Sequence, residues 1–199
     1  MRRTAFVPMM ILLLFVLTGC KAAESPHERY RRDYRDLTAY SGEAEVTADY
    51  GDKVYQYQIT LSGDEQGGEV QVTQPESIAG TGCHWKKGNC TATYEDITIA
   101  TGHISGDGLS PADAMPVLLE ALGSGREIAA EEQKLDGKEV LFLELANPNH
   151  PEEVSRVQVW LDKANGALCR GEILWQDRTV ITVDFDTFSY TAKQSEIEG

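Results

Sequence analysis

The sequence predicts a mainly β domain: about nine to eleven antiparallel strands forming one strongly curved sheet or an open barrel, with a helix at its start and a short helix in its middle. Three observations predict it. From residue 43 most of the chain alternates apolar and polar side chains with period two, turn residues punctuate the alternation at short intervals, and only two stretches carry helical spacing. The chain has 199 residues, 41% of them hydrophobic, which suits one domain with its own core. Its 32 acidic residues stand against 18 basic ones. That balance excludes nucleic acid as a partner, because backbone binding needs basic patches that displace counterions. It also excludes attraction of the whole chain to anionic lipid headgroups.

The first element is not part of the fold. Arg2 and Arg3 precede an apolar run over residues 9–17. A helix of that length covers about 13 Å, too short for a hydrocarbon core of about 30 Å, so the run reads as a secretory leader. It ends in Leu17-Thr18-Gly19-Cys20, which resembles the bacterial lipobox, where the cysteine is linked to diacylglycerol and becomes the first mature residue. The resemblance implies a signal peptide over residues 1–19, a lipidated tether over 20–24, a folded domain over 25–190 and a flexible tail over 191–199. It also implies an extracytoplasmic chain held by a diacylglyceryl anchor at Cys20, on the outer face of the cytoplasmic membrane, or on an outer membrane where the cell has one. Losing Arg2 and Arg3 with the leader makes the remaining chain more acidic still.

Ser25-Pro26-His27-Glu28 carries helix-start chemistry, with serine as N-cap, proline at N1 and glutamate at N3. Tyr30, Tyr34 and Leu37 follow on one helical face, and Gly42 is expected to end the helix. Arg29, Arg31, Arg32 and Arg35 occupy the same helix. They read as a solvated face, or alternatively as cations resting near headgroups beside the anchor. Strands then begin. Val46 leads one, and Tyr55, Tyr57, Ile59 and Leu61 alternate with polar residues in the next. After the turn over 63–68, Val70 and Val72 continue the pattern. Two short runs follow, near 83–85 and through 91–99, and further strands are expected at 140–145, 154–161, 167–175 and 179–188. Asn165-Gly166 is a strong hairpin signal between two of them.

The interruption lies between Gly102 and Gly125. Ser110-Pro111 starts a second helix whose Met115, Leu118, Leu119 and Leu122 form an apolar stripe, with a kink or restart expected at Pro116. Such a helix buries its stripe on the concave face of the sheet, as a fixed plug or as a lid that moves for a ligand.

Cys83 and Cys90 flank Lys86-Lys87-Gly88-Asn89, a turn. As directly opposed positions they fit a two- or four-residue hairpin loop and can form a cross-strand disulfide, whereas a bulge at Gly88 would misalign them. The competing reading is a zinc site of Cys83, His84, Cys90 and a distant ligand, although the spacing matches no common zinc pattern. Cys169 reads as a small buried thiol. No nucleophile stands at a recognisable spacing from His27, His84, His103 or His150, and Asp184 and Asp186, two carboxylates able to share a strand face, fit strand-edge solvation better than acid–base work. No enzyme, metal or cofactor is expected.

Three stretches resemble the LolA/LolB lipoprotein-localisation family and the related mycobacterial lipid-binding lipoproteins, over roughly residues 25–190. They are Val72-Thr73-Gln74-Pro75-Glu76-Ser77-Ile78-Ala79-Gly80, the helix over 110–122, and a final block. That block is Val157-Gln158-Val159-Trp160-Leu161-Asp162-Lys163-Ala164-Asn165-Gly166, then Ile173-Leu174-Trp175 and Thr182-Val183-Asp184-Phe185. The resemblance implies a half-open barrel with a helical lid, whose apolar cavity holds acyl chains. The chain departs from the family in two ways. It has no arginine between Arg35 and Arg126 to latch the lid from an early strand, and it shows no isolated apolar loop of the kind LolB carries.

The expected function is that of a membrane-anchored lipoprotein binding a lipid or acylated ligand, as a carrier or sensor in the envelope. Leu118, Leu119 and Leu122 of the helix, with Phe142, Trp160 and Trp175 of the strands, are the expected lining residues. Trp160 and Leu161 face opposite sides of their strand, so only one of the two can line a cavity. The alternative is a tethered interaction or sensor module with a filled core and an envelope protein as partner. It is motivated by the net charge of −14 and by Asp49, Asp52, Asp64 and Glu65 near one strand pair.

Overall fold

The period-two segments pair with their chain neighbours into one long ribbon. A computed structural model describes residues 25–86, 89–94, 97–103, 110–148 and 155–193. Cys20, the leader, the Gly106-Asp107-Gly108 loop and most of the expected tail lie outside the described residues. Helix α1 (Pro26–Arg35) opens the domain, followed by strands β1 (Leu37–Asp49), β2 (Val54–Asp64) and β3 (Gly67–Gln74) and a 3-10 turn (Glu76–Ile78). Strands β4 (Gly82–Lys86), β5 (Asn89–Tyr94) and β6 (Ile97–His103) lead to helix α2 (Pro111–Ser124). Strands β7 (Glu127–Leu135), β8 (Lys138–Ala146), β9 (Ser155–Asp162), β10 (Leu168–Trp175) and β11 (Arg178–Ala192) complete the chain. The eleven strands make one sheet in the order β6-β5-β4-β3-β2-β1-β11-β10-β9-β8-β7. Every described pairing is antiparallel, and β6 and β7 remain as free edges, so the barrel is open.

The order follows from the chain's two hairpin series. Strands β1 to β6 unroll one way and β7 to β11 the other, and β1 joins β11 through a long ladder from Leu37↔Ala192 to Ala48↔Ile181. Only this seam closes pairs distant in sequence.

Several boundaries differ from expectation. Helix α1 ends at Arg35, and Leu37 and Gly42 lie inside β1, because pairing with β11 reaches down to Leu37. The run through 91–99 divides into β5 and β6, closed by the pair Tyr94↔Ile97. Strand β7 escapes a reading by alternation because Glu-Ile-Ala-Ala-Glu-Glu-Gln-Lys-Leu has no clean period; it is an edge strand with little to bury. Strand β11 continues to Ala192, past the expected domain end, and Lys193 donates its backbone N–H to the Asp36 carbonyl.

Helix α2 is one helix through Pro116, with no restart. Its buried face consists of Ala114, Met115, Val117, Leu118, Ala121 and Leu122, while Leu119 is half-buried on the flank. The stripe is therefore rotated away from Leu119, since the small Ala114 and Ala121 let the helix settle closer to the sheet. It packs on β1 and on β8 to β11, and against α1. Gly171 of β10 makes this possible: a Cβ there would stand 2.7 Å from Leu118 Cδ1.

Candidate functional site

The register assigns each side chain to one of two sheet faces. Leu143 of β8 pairs with Val159 of β9, which pairs with Gly171, so these lie on the side where α2 seats Leu118. Continuing across the seam, Val183, Val46, Tyr57 and then Ile59↔Val72, Leu61↔Val70, Val70↔Cys83 and Trp85↔Cys90 carry the same face to β5. Ile59, Leu61, Val70, Cys83, Trp85 and Cys90 are all buried. This inner face is thus apolar from β8 to β5, but α1 and α2 gather over β1 and β8 to β11. Among the described residues, strands β2 to β6 make their main contacts with their sheet neighbours, and β3 also with the 3-10 turn. The result is an apolar floor beyond the reach of the packed helix.

Aromatic rings mark the boundary between the two regions. Tyr34 of α1 stacks on Tyr190 at 4.8 Å and donates its hydroxyl to the Gly166 carbonyl at 2.9 Å. Phe188 stands between Tyr34 and Tyr40, with centroids 6.3 and 6.4 Å away. Tyr40 and Trp85 both lie over Gly68, where any Cβ would collide with the Tyr40 hydroxyl and with the Trp85 ring. Burial raises the Tyr34 and Tyr40 phenols well above the ordinary tyrosine range, and burial also raises Tyr190, to about 12.

The six expected lining residues do not come together. Leu118 and Leu122 are fully buried under α2, with Leu119 packed beside them. Trp175 is half-buried against the same core, two residues from Ile173 and on its side of β10. Phe142 and Trp160 pair across β8 and β9 on the outer face, with ring centroids 5.1 Å apart, and the Trp160 indole N–H donates to Gln133 Oε1 at 3.2 Å. The correction has a simple cause. Residues 140–143 are apolar at both parities and only Glu144 marks the even set as outward; Leu141, Leu143 and Leu145 face inward. Leu161, not Trp160, is the inward member of its pair.

Cys83 and Cys90 form a disulfide with Cα atoms 6.4 Å apart. They are not directly opposed. Lys86↔Asn89 closes the hairpin, Trp85 faces Cys90 and Cys83 faces Ala92, so the bond runs diagonally between two inward residues. The bond removes both thiols from any zinc site, and among the described residues no three His, Cys, Asp or Glu side chains cluster for a metal. Cys169 is half-buried rather than buried, and desolvation raises its thiol above the ordinary range. Asp184 accepts from Arg170 Nε at 2.5 Å across the β10–β11 pair, so it stands in an ion pair rather than free beside Asp186. The expected acidic face also separates: Asp49 and Asp52 lie at one end of β2, and Asp64 and Glu65 at the other.

Sequence reasoning missed the contacts of two arginines. Arg31 Nε donates to the Leu122 carbonyl at 3.2 Å and its Nη2 to the Gly125 carbonyl, while Arg35 Nε donates to the Gly123 carbonyl at 3.1 Å. These guanidinium groups satisfy the carbonyls left open at the C-terminus of α2 and oppose its dipole. The helix is held from α1, not from an early strand. The only signal was their i, i+4 spacing, which a solvated face shares.

At the β2–β3 turn and β4 a cleft of about 430 Å³ is lined by Ser62, Asp64, Gln66, Glu69, His84 and Lys86, with Trp85 and the glycines Gly63, Gly67 and Gly68. His84 Nε2 sits 3.3 Å from Glu69 Oε2 there, both exposed.

No family model matches the sequence, and no curated protein matches it. Solved structures do. A DUF1329 family protein from Desulfovibrio piger is similar with a TM-score of 0.51 and 13% identity, over 85% of this chain and 92% of that one. A LolA superfamily protein from Nitrosomonas europaea is similar with a TM-score of 0.44 and 10% identity, over 84% of this chain and 94% of that one. The lipoprotein LppX of Mycobacterium tuberculosis is similar with a TM-score of 0.46 and 14% identity, over 85% of this chain and 95% of that one. The likeness to the Desulfovibrio piger protein is one of fold alone. The chain shares that protein's fold, an open antiparallel sheet with helices on its inner side.

Proposed function

We propose that this chain is a membrane-anchored lipoprotein, acylated at Cys20, which binds a lipid or acylated ligand as a carrier or sensor in the cell envelope. One observation carries the reading: Ile59, Leu61, Val70 and Trp85 form an apolar inner face on β2 to β5 away from the main contacts of α2, buried in the ligand-free chain and reached by a ligand only as their cover gives way. An acyl chain laid on such a floor gains about 0.8 kcal/mol per buried methylene and needs no charged contact. The ligand is gripped by its tails, which suits an acidic chain. Trp175 and Leu119, half-buried at the side of the packed core, are the members of the expected lining that a ligand can still reach, while Leu118 and Leu122 act through the plug.

The test is mass spectrometry of lipids that co-purify with the domain after its anchor is cleaved, with titration of a fluorescent fatty-acid probe. Stoichiometric uptake and displacement by a co-purified lipid are expected; no uptake across lipid classes sinks the reading.

A second reading has its own observation. Met115, Leu118 and Leu122 are fully buried under α2, as expected of a tethered interaction module with no lipid ligand. A stable envelope-protein complex recovered free of lipid would select it.

A further inference from the structure

We propose that one end of the sheet is the surface on which the domain rests against the bilayer that holds its anchor. The inference rests on the reading of Cys20 as acylated and adds an orientation to it.

Among the described residues, the exposed large apolar side chains are Tyr50, Val54, Tyr55, Tyr94, Ile97 and Ile128. The register puts all six at the same end. Asp49↔Val54 closes the β1–β2 hairpin, with Tyr50, Val54 and Tyr55 at its tip. Antiparallel steps through β3 and β4 bring the β5–β6 hairpin, closed by Tyr94↔Ile97, to that end. In the other direction, Arg178 Nη2 reaches the Asp49 carbonyl at 3.4 Å, and the pairs Trp175↔Ser155, Ala146↔Arg156 and Glu127↔Leu145 continue the same end to Ile128 on β7. Apolar groups therefore stand at three places along this end, the β1–β2 tip, the β5–β6 tip and the start of β7, with the polar Gln176-Asp177 turn between the first and the last. Val54 and Ile97 are each 58% exposed, a poor arrangement for a rim that meets only water. The opposite end is different. Among the described residues its turns are Glu65-Gln66, Asp136-Gly137 and Lys163-Ala164-Asn165, all polar or small.

The path of the tether selects the occupant. His27 Nε2 lies 3.8 Å from Glu127 Oε1, so the first turn of α1 starts beside the first residue of β7, next to Ile128. From Ser25 back to Cys20 the chain spans at most about 17 Å when extended. The anchor can thus reach the end of the sheet at which Ile128 stands. Lys53, Arg126 and Arg178 at this end are offset by Asp49, Asp52, Glu127 and Asp177. The contact depends on apolar and aromatic groups entering the headgroup boundary, and not on anionic lipid.

Tryptophan placed at the rim of the mature acylated protein reads this directly. In vesicles of brominated phosphatidylcholine, the added fluorescence of Tyr55→Trp, Ile97→Trp and Ile128→Trp is expected to fall at least about twofold, in low and high salt alike. That of Gln66→Trp, at the opposite end, is expected to stay unchanged. Equal quenching at Gln66→Trp, no quenching at the rim, or shielding of the rim by a second copy in sedimentation overturns the proposal. The anchor is tested separately by the mass of the N-terminal peptide. The same variants, in a Cys169→Ala background and coupled through the thiol at position 20 to a maleimide lipid, read the rim whether or not Cys20 is acylated in the cell. An unmodified Cys20 then removes the anchor reading, and unquenched rim tryptophans on the coupled chain remove the rim.

Discussion

The two wings of the sheet are built from the same period-two sequence and end in different states. In the wing from β8 to β11, strand β9 alternates between fully buried and half-buried residues along its whole length, because α2 covers its inner side. In the wing from β2 to β6, the inner residues of β3 and β4 are still buried, yet their ends are exposed and the helices make no main contact there. The first wing is held by packing, by Gly171 beneath Leu118 and by the arginines on the α2 carbonyls. The second is held by its ladder and a disulfide, with Tyr40 and Trp85 resting on Gly68. The difference teaches where such a fold can give way to a ligand without losing its core.

The comparison breaks most sharply on a matched pair of substitutions. Leu143→Ala, under α2, is expected to cost about 4 kcal/mol, and Leu61→Ala, on the open wing, no more than about 2 kcal/mol, because the open site relaxes around the smaller side chain. Urea unfolding of both variants decides it, and equal losses would mean that the open wing is packed as tightly as the covered one. Reducing Cys83–Cys90 comes next. Loop-closure entropy for so short a loop is worth about 2 kcal/mol. Hydrogen exchange should then rise in β4 and β5 while β8 and β9 keep their protection; uniform loosening would show that the wings unfold as one.

The smallest effect is on pH. Tyr34 and Tyr190, in the cluster where α1 meets the seam, are raised by burial, Tyr190 to about 12. Unfolded tyrosines ionise near 10, so above that pH the unfolded chain binds fewer protons than the folded one. Their contribution is complete below about pH 10 and is lost as pH climbs toward 12 and beyond. Tyr190→Phe should flatten the alkaline decline in thermal midpoint, and an unchanged slope would remove Tyr190 from the cause.

Legibility in the sequence tracked the physics of each segment. Alternation in Tyr55, Tyr57, Ile59 and Leu61 located β2, and the serine–proline starts located both helices, because these signals are local. Strand β7 was invisible since an edge strand need not alternate. The face of Phe142 was ambiguous because its neighbours from 140 to 143 are apolar at both parities, with Glu144 the one local sign that its set faces outward. Cys83 and Cys90 could be paired, but not as a diagonal, since the hairpin register depends on which residues close the turn.

By itself, the sequence determined an antiparallel β protein with two helices, a helix stripe that had to be buried, and an acidic chain with a lipobox-like Cys20. These follow from periodicities of two and 3.6, from caps and from charge, which are set by residues close in the chain. Only the tertiary structure decided which wing the helix covers, that Arg31 and Arg35 hold its end, and that six apolar side chains from separate hairpins share one rim. Each of those depends on the β1–β11 seam, which joins the two hairpin series across most of the chain, and no local pattern records such a pairing.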